Sequence, residues 1–402
     1  MVGNRVIEIV FIGKTAFPVS TASSNRIFSL SKGLVKAGAK VSVYCFGLTK
    51  YSSNNYPILK KGTIDSVYWE YTSLRVSAFK NRLLNGIFLL LGQFIGYFLI
   101  IIRYYNKKPF FFTSQSSFGY IFPLWAVTRI CGGKLLFFRS ELPKYILNKS
   151  PFRYFHEQVL NPIVFRFFDG MFIMTNNLKE YFEKWGKDKS RIQLTPLTID
   201  FSLFEKKLKS PYPFPYIAYC GSLSFYKDGI DILIKAFGLI EKKYPALRLV
   251  IIGRSKSEQD FENMKTLVSK SIEDSSKVIF TGFVDKELIP QYLNNAELLA
   301  LARPDSIQAQ GGFPSKLGEY LATDRPVVVT ATGEIKKYLS DLENARIAIP
   351  GDVDDFSEKL EWVLNNQDLA VEMGKNGKLT ALNNFSNLKV GKDIYDHLND
   401  SF

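Results

Sequence analysis

The stretch "GGFPSKLGEYLATDRPVVVT", Gly311 to Thr330, passes from loop to helix to strand within twenty residues. A Gly-Gly-Phe-Pro loop leads into Ser315, and Leu317 and Leu321, four apart, mark the buried face of a short helix. "RPVVVT" (325–330) is then an apolar β-branched run, the composition of a strand. The same alternation extends in both directions. The second half holds strand-like runs at 216–221 (YIAYCG), 247–253, 277–282, 297–302 and 345–349, and the first half at 6–13 (VIEIVFIG), 40–46, 109–114, 134–140 and 170–175. Amphipathic helix-length segments separate them, for example 24–37, which ends at Gly38. Strands spaced by helices build parallel, doubly wound sheets. The expectation is an α/β chain of two Rossmann-like domains facing a central cleft. They are an N-terminal domain over 1–205, a Pro-rich linker over 206–215 and a C-terminal domain over 216–385, with a helix at 386–402 crossing back to the first. Such sheets bind ligands at their carboxyl ends, here at the cleft.

A chain of 402 residues, 46% hydrophobic and 22% charged, has enough apolar surface for two cores. Cys45, Cys131 and Cys220 form no CxxC pair, which argues for a reducing compartment and against a disulfide framework or zinc site. His156 and His397, the only histidines, have no metal-ligand spacing, so a histidine triad or metal hydrolase is not expected. The opening "MVGNRVIEIVFIG" reads as a first strand rather than an export signal. The net charge of +14 is uneven: residues 1–200 carry +17 and the remainder −3. A basic first half points to an anionic partner. No nucleic-acid motif accompanies it, which leaves an anionic membrane surface or a merely basic solvated one.

Ser315 suits the N-cap of its helix, because a serine hydroxyl accepts an orphan backbone N–H. The amides of Lys316, Leu317 and Gly318 would then point outward, and with the helix dipole and the Lys316 ammonium they would form an anion site fit for a diphosphate. Gly311 and Gly312 would let the backbone come close. An ordinary capped surface helix with a first-turn acid is the equally open alternative.

These residues resemble the donor-binding signature of retaining GT-B glycosyltransferases, in particular glycosyltransferase family 4. "GFPSKLGEYLATDRPVVVT" is similar to a PSK-x-x-EYLA-x-G-x-PVV form of that family's E-x7-E motif. "YCGSLSFYKDGIDILIKAF" (219–237), "VIFTGFVDKELIPQYLNNAEL" (278–298), "MTNNLKEYF" (174–182) and "LTPLTIDFSLF" (194–204) follow its order. The resemblance implies a donor pocket of Gly221, Ser222, Lys227, Gly282, Phe283, Val284, Gly312, Pro314, Ser315, Lys316, Leu317 and Glu319. Within it, Lys227 would bind the donor diphosphate and Glu319 the ribose. Ser315, Lys316 and Leu317 would offer backbone amides to phosphate, and Gly282, Phe283 and Val284 would border the base.

Two departures stand out. Gly311 occupies the place of the first glutamate, which usually touches the donor sugar, with Gln308 and Gln310 as replacements. Ser222 stands where a basic residue is common, which would leave Lys227 and Lys316 carrying the diphosphate charge. The implied reaction moves a sugar from a nucleoside diphosphate to an acceptor hydroxyl with retention, without a cofactor or divalent metal. Lys227 and Lys316 would stabilise the leaving group. On the acceptor side, Glu141 and Arg139 in "FRSELP" (138–143) compete with a reading as a local ion pair, and "GKTAFPVSTASSNR" (13–26) is the other acceptor loop. The acceptor implied is a glycan or lipid-linked glycan of capsule, O-antigen or related surface polysaccharide. The alternatives are a GT-B-fold sugar-nucleotide epimerase, a non-catalytic subunit of a glycosyltransferase complex and a nucleic-acid-binding protein.

"LLNGIFLLLGQFIGYFLIII" (83–102) is uncharged and long enough to span a bilayer. It is not expected to span, because strands on both sides of it belong to one sheet. Arg82, Asn85, Gly86, Gln93, Gly96 and Arg103 share one arc of its wheel. Either it is a buried domain helix, or it dips into the cytoplasmic leaflet, held by Lys80, Arg82, Arg103, Lys107 and Lys108. The second reading makes the protein cytoplasmic and peripheral on the inner face of the membrane.

Overall fold

The computed structural model describes residues 6–18, 22–48, 59–143, 146, 151–206, 208–255 and 257–402. Part of the expected acceptor loop, residues 19–21, and Lys207 of the expected linker lie outside them. The chain forms two compact units, Met1–Thr198 with Asn387–Phe402, and Ile199–Ser386.

The first unit is built on eight strands: β1 (Glu8–Gly13), β2 (Lys40–Cys45), β3 (Lys61–Ile64), β4 (Val67–Tyr71), β5 (Phe110–Thr113), β6 (Lys134–Arg139), β7 (Gly170–Ile173) and β8 (Ile192–Leu194). Their order is β3-β4-β2-β1-β5-β6-β7-β8, and all neighbours are parallel except β3 and β4. That antiparallel pair was not foreseen. Its turn consists of Asp65 and Ser66, both at positive φ (47° and 63°), so two residues without glycine close the hairpin. Phe11, Phe112, Phe138 and Phe172 come from the successive strands β1, β5, β6 and β7. Their ring centroids lie 5.3, 6.3 and 5.1 Å apart along the phenylalanine sequence 11–112, 112–138 and 112–172. Aromatic pairs at such spacings add to area burial, which gives the high phenylalanine content a structural use. Its helices include α1 (Ala22–Lys36), α2 (Arg82–Tyr104) and α3 (Phe118–Ile130).

The second unit has six parallel strands: β9 (Tyr216–Cys220), β10 (Arg248–Ile252), β11 (Val278–Gly282), β12 (Leu298–Leu301), β13 (Val327–Thr330) and β14 (Arg346–Ala348). β9, β10, β12 and β13 are almost wholly buried, as strands covered on both faces must be. The order β11-β10-β9-β12-β13-β14 reverses direction between β9 and β12. In the first unit the reversal falls between β1 and β5. Doubly wound sheets bind ligands beyond the strand carboxyl ends at such points. Between β9 and β10 lies α4 (Ile230–Ile240), whose Ile230, Leu233, Ile234 and Phe237 are buried at helical spacing. Between β12 and β13 lies α5 (Ser315–Leu321).

The boundary differs from expectation. It falls at Thr198–Ile199, not at 205, and the Pro-rich 206–215 belongs to the second unit. Ile199 pairs with Ser386, and the side-chain amides of Asn294 and Asn295 donate to the carbonyls of Phe204 and Leu208, each at 2.9 Å. These bonds hold the segment against its own unit. The last helix, α6 (Asn387–Ser401), belongs to the first unit and packs on α1. The contact is backbone to backbone: a Cβ on Gly33 would meet the Asn387 carbonyl oxygen at 1.8 Å.

Candidate functional site

β9 ends at Cys220, and Gly221 then brings the backbone against Lys316 from the start of α5. A Cβ at Gly221 would lie 1.8 Å from Lys316 Cε, so only glycine leaves the lysine its position. Lys316 Nζ donates to the Tyr219 hydroxyl at 2.7 Å and pairs with Asp228 Oδ2 at 2.9 Å. Asp228 is buried and also accepts from Ser222 Oγ at 3.1 Å. Tyr219 in turn donates to the Ser222 carbonyl at 2.8 Å, and Tyr320 holds Cys220 by accepting from its amide at 2.7 Å. Burial presses the Lys316 pKa down, against the pull of Asp228, and the neighbouring charge of Lys227 acts in the same direction as burial. Lys227 is half-exposed, in the one-turn helix Phe225–Asp228, whose N-cap is Ser224.

Glu319 stands one turn into α5, half-buried, and its carboxylate makes no hydrogen bond to a described residue. Burial raises its pKa, while Lys286 and Lys316 oppose that shift. Across the sheet, Gly253 at the end of β10 donates its amide to Gly282 at 2.9 Å. Beside them Arg254 lies 5.0 Å over the ring of the exposed Phe283, and Val284 follows half-exposed. A flat guanidinium over an aromatic ring at a strand end is a surface on which a planar base can lie.

Three expectations about α5 change. Ser315 is the first helical residue, exposed, and makes no cap bond; Pro314, extended at ψ 115°, holds the cap position. The Leu317 amide donates to the Pro314 carbonyl at 3.1 Å and so is not free for an anion, and the Leu317 side chain belongs to the core. Lys316 does not carry an unbalanced charge, because Asp228 already offsets it. Gly312 and Pro314 are buried in the approach to the helix. Near the missing glutamate, Gln310 donates to Asp305, and Gln308 is half-exposed.

The structure therefore brings Gly221, Ser222, Lys227, Lys316 and Glu319 together, with Gly282, Phe283 and Val284 at the neighbouring strand ends. Sequence reasoning missed Asp228, Tyr219, Lys286 and Arg254. Asp228 sits in plain view beside Lys227, but its partnership with Lys316 spans 88 positions. Arg139 and Glu141 belong to the other unit. Arg139 donates to the carbonyls of Glu141 (2.8 Å), Ser114 (3.1 Å) and Leu142 (3.3 Å), so it clamps a loop, and Glu141 is exposed beside it.

Residues 200–380, somewhat under half the chain, match the family described as Glycosyl transferases group 1. Among curated relatives, the putative glycosyltransferase EpsD of Bacillus subtilis (strain 168) is 26% identical over 166 residues, 41% of this chain and 40% of that protein. The capsular polysaccharide biosynthesis glycosyltransferase CapM of Staphylococcus aureus is 24% identical over 215 residues, 53% of this chain and 50% of that one. The match thus spans about two fifths to one half of these relatives' length. Among solved structures, Anabaena Alr3699/HepE in complex with UDP and glucose superposes over 98% of this chain and 100% of that one, with TM-score 0.69 and 14% identity. The sucrose-phosphate synthase (tll1590) from Thermosynechococcus elongatus gives TM-score 0.71 at 16% identity, over 98% and 100%. The fold is GT-B, with two parallel-sheet α/β units.

Proposed function

We propose that this GT-B protein is a retaining, metal-independent glycosyltransferase that moves a sugar from a nucleoside diphosphate to an acceptor hydroxyl. The observation that carries the reading is the meeting of Gly221, Lys227, Lys316 and Glu319 at the reversal point of the second sheet. Lys227 places an ammonium where the diphosphate leaving group gains negative charge, and Lys316, held by Asp228 and Tyr219, supplies an oriented donor. The Glu319 carboxylate can accept from two ribose hydroxyls. Phe283 with Arg254 offers the base a surface. The family match over 200–380 supports the same assignment.

The acceptor we propose is a glycan or lipid-linked glycan in the assembly of capsule, O-antigen or related surface polysaccharide, a reading that the similarity to CapM favours. Glu141 is the acceptor-side candidate for positioning the incoming hydroxyl. The work would take place on the cytoplasmic face of the membrane. What supports a lipid surface is α2, the one helix among the described residues long and apolar enough to cross a membrane. Its inward side holds Gly92, Gln93, Gly96 and Tyr97, while Leu83, Leu90, Phe94, Phe98 and Ile102 are each more than half exposed. Ile100 and Tyr104 are buried on the inward side as well, so the helix has apolar residues toward the protein and a further apolar face left exposed, which a helix facing water would not carry.

The deciding experiment is a donor screen on the purified chain, following binding and slow hydrolysis of UDP-, GDP- and other activated sugars. Micromolar binding of one class, weakened roughly 10- to 100-fold by Lys227→Ala, supports the transferase. Binding to none of them would overturn it.

A further inference from the structure

We propose that Arg303 is the positioning residue for Lys227, a role that rests on the donor-site reading above. Arginine is almost never fully buried unless paired, and Arg303, two residues beyond the end of β12, is only 3% exposed. β9 and β12 are the neighbours between which the second sheet reverses direction. At such a point the connections leave toward opposite faces of the sheet, and the crevice between them is where a ligand fits. Arg303 reaches across it: its Nε donates to the Lys227 carbonyl, in the turn that follows β9, at 3.3 Å.

The turn needs such a tie. Phe225–Asp228 is a single helical turn, and one turn has little stability of its own, because its few hydrogen bonds do not offset the ordering of its residues. Ser224 caps its start by accepting from the Lys227 amide at 3.2 Å. At its end Gly229 is left-handed (φ 64°), and a Cβ there would lie 1.8 Å from the Ala302 carbonyl oxygen, so the turn sits directly on the chain entering Arg303. Arg303 is itself anchored: its carbonyl accepts from the buried Thr330 hydroxyl, at the end of β13, at 2.7 Å. One residue thus joins the ends of β9, β12 and β13. Asp228 has ties of its own to Lys316 and Ser222, so the bond from Arg303 bears on Lys227. The Lys227 side chain is half-exposed, so packing alone does not fix its ammonium, and the backbone that Arg303 holds sets where it starts.

The test joins hydrogen exchange to a double-mutant cycle on the full chain. In Arg303→Gln the amides of residues 224–229 should exchange faster than in the parent, while those of β9, β12 and α4 keep their rates. Calorimetric titration with UDP and with GDP then compares the parent, Arg303→Gln, Lys227→Ala and the double variant. Arg303→Gln should weaken the better-bound nucleotide roughly tenfold, and should add almost nothing once Lys227 is alanine, because a residue that acts through another has no effect in its absence. A merely structural arginine would lower affinity by the same factor in both backgrounds. Should Arg303→Gln fail to fold, Arg303→Lys keeps the buried charge without the Nε donor and carries the same measurements with the same expected pattern. Unchanged exchange at 224–229, or equal loss of affinity with and without Lys227, would overturn the positioning role. Binding of neither nucleotide by the parent would instead overturn the donor reading on which it rests, and exchange at 224–229 would still decide whether Arg303 holds the turn.

Discussion

Lys227 and Lys316 read alike in the sequence, but their surroundings separate them. Lys316 is tied to a carboxylate that is only 3% exposed, so Lys316→Ala strands Asp228 as an unpaired buried charge. Breaking such a pair costs about 3 kcal/mol or more. Lys316→Ala should therefore lower the melting temperature as well as donor binding, and Lys316→Ala with Asp228→Asn should recover much of the stability but not the binding. Lys227→Ala should melt like the parent and lose only a charge-assisted contact, about 1.5–3 kcal/mol, read as a roughly 10- to 100-fold weaker donor Kd. Glu319 gives a sign test. Its folded pKa lies above the ordinary 4.5 because burial disfavours the charge. Ionisation therefore costs stability, a cost that sets in as pH rises through 4.5 and is complete above the raised value. At pH 7, Glu319→Gln should raise the melting temperature while weakening nucleotide binding. As pH falls, the parent should lose donor affinity in a step above the usual glutamate range, and the Gln variant should lack that step.

At the scale of elements, what the helices do depends on what they lie against. The helix at Ser315 was read as serine-capped, yet Pro314 takes that position and the serine hydroxyl faces solvent. Ser315→Ala should thus change stability by only a few tenths of a kcal/mol, against about 1 kcal/mol for a lost cap, measured by urea unfolding. The last helix is joined to α1 through glycines: a Cβ on Gly391 would lie 2.4 Å from the Gly33 carbonyl carbon. No rotamer relieves a clash with backbone, so Gly391→Val must push the helices apart. It should destabilise the first unit by about 3 kcal/mol, with hydrogen exchange accelerating in α1 and in α6 together. The β3–β4 hairpin was missed for a related reason. Its Asp65-Ser66 turn carries no glycine, and pairing with β2 holds it in the sheet.

At the scale of the whole molecule, the uneven charge and the outward apolar face of α2 make one prediction. Basic residues near an anionic leaflet contribute about 1 kcal/mol each, and buried apolar surface adds to that. The chain should co-sediment with liposomes containing anionic lipid at low salt, and Phe94→Ser with Phe98→Ser should weaken that binding at least tenfold without lowering the melting temperature. Equal sedimentation of the double variant, or no binding by the parent, would remove the lipid surface from the proposal. Extraction by carbonate is expected, because α2 lies between β4 and β5, which belong to the same sheet.

The sequence by itself determined the two doubly wound sheets and placed the candidate site's glycines, lysines and Glu319 at strand ends. Strand and helix periods are local properties, and the glycines, lysines and Glu319 of the site lie in short stretches at strand ends. Local pattern could not reach partners distant along the chain. That Lys316 is neutralised by Asp228, that Arg254 lies over Phe283, that the segment after Thr198 packs with the second unit, and that the apolar side of α2 faces outward were decided only by the tertiary structure. Each depends on which surface a residue meets after packing, and burial and pairing energies belong to that meeting, not to the residue.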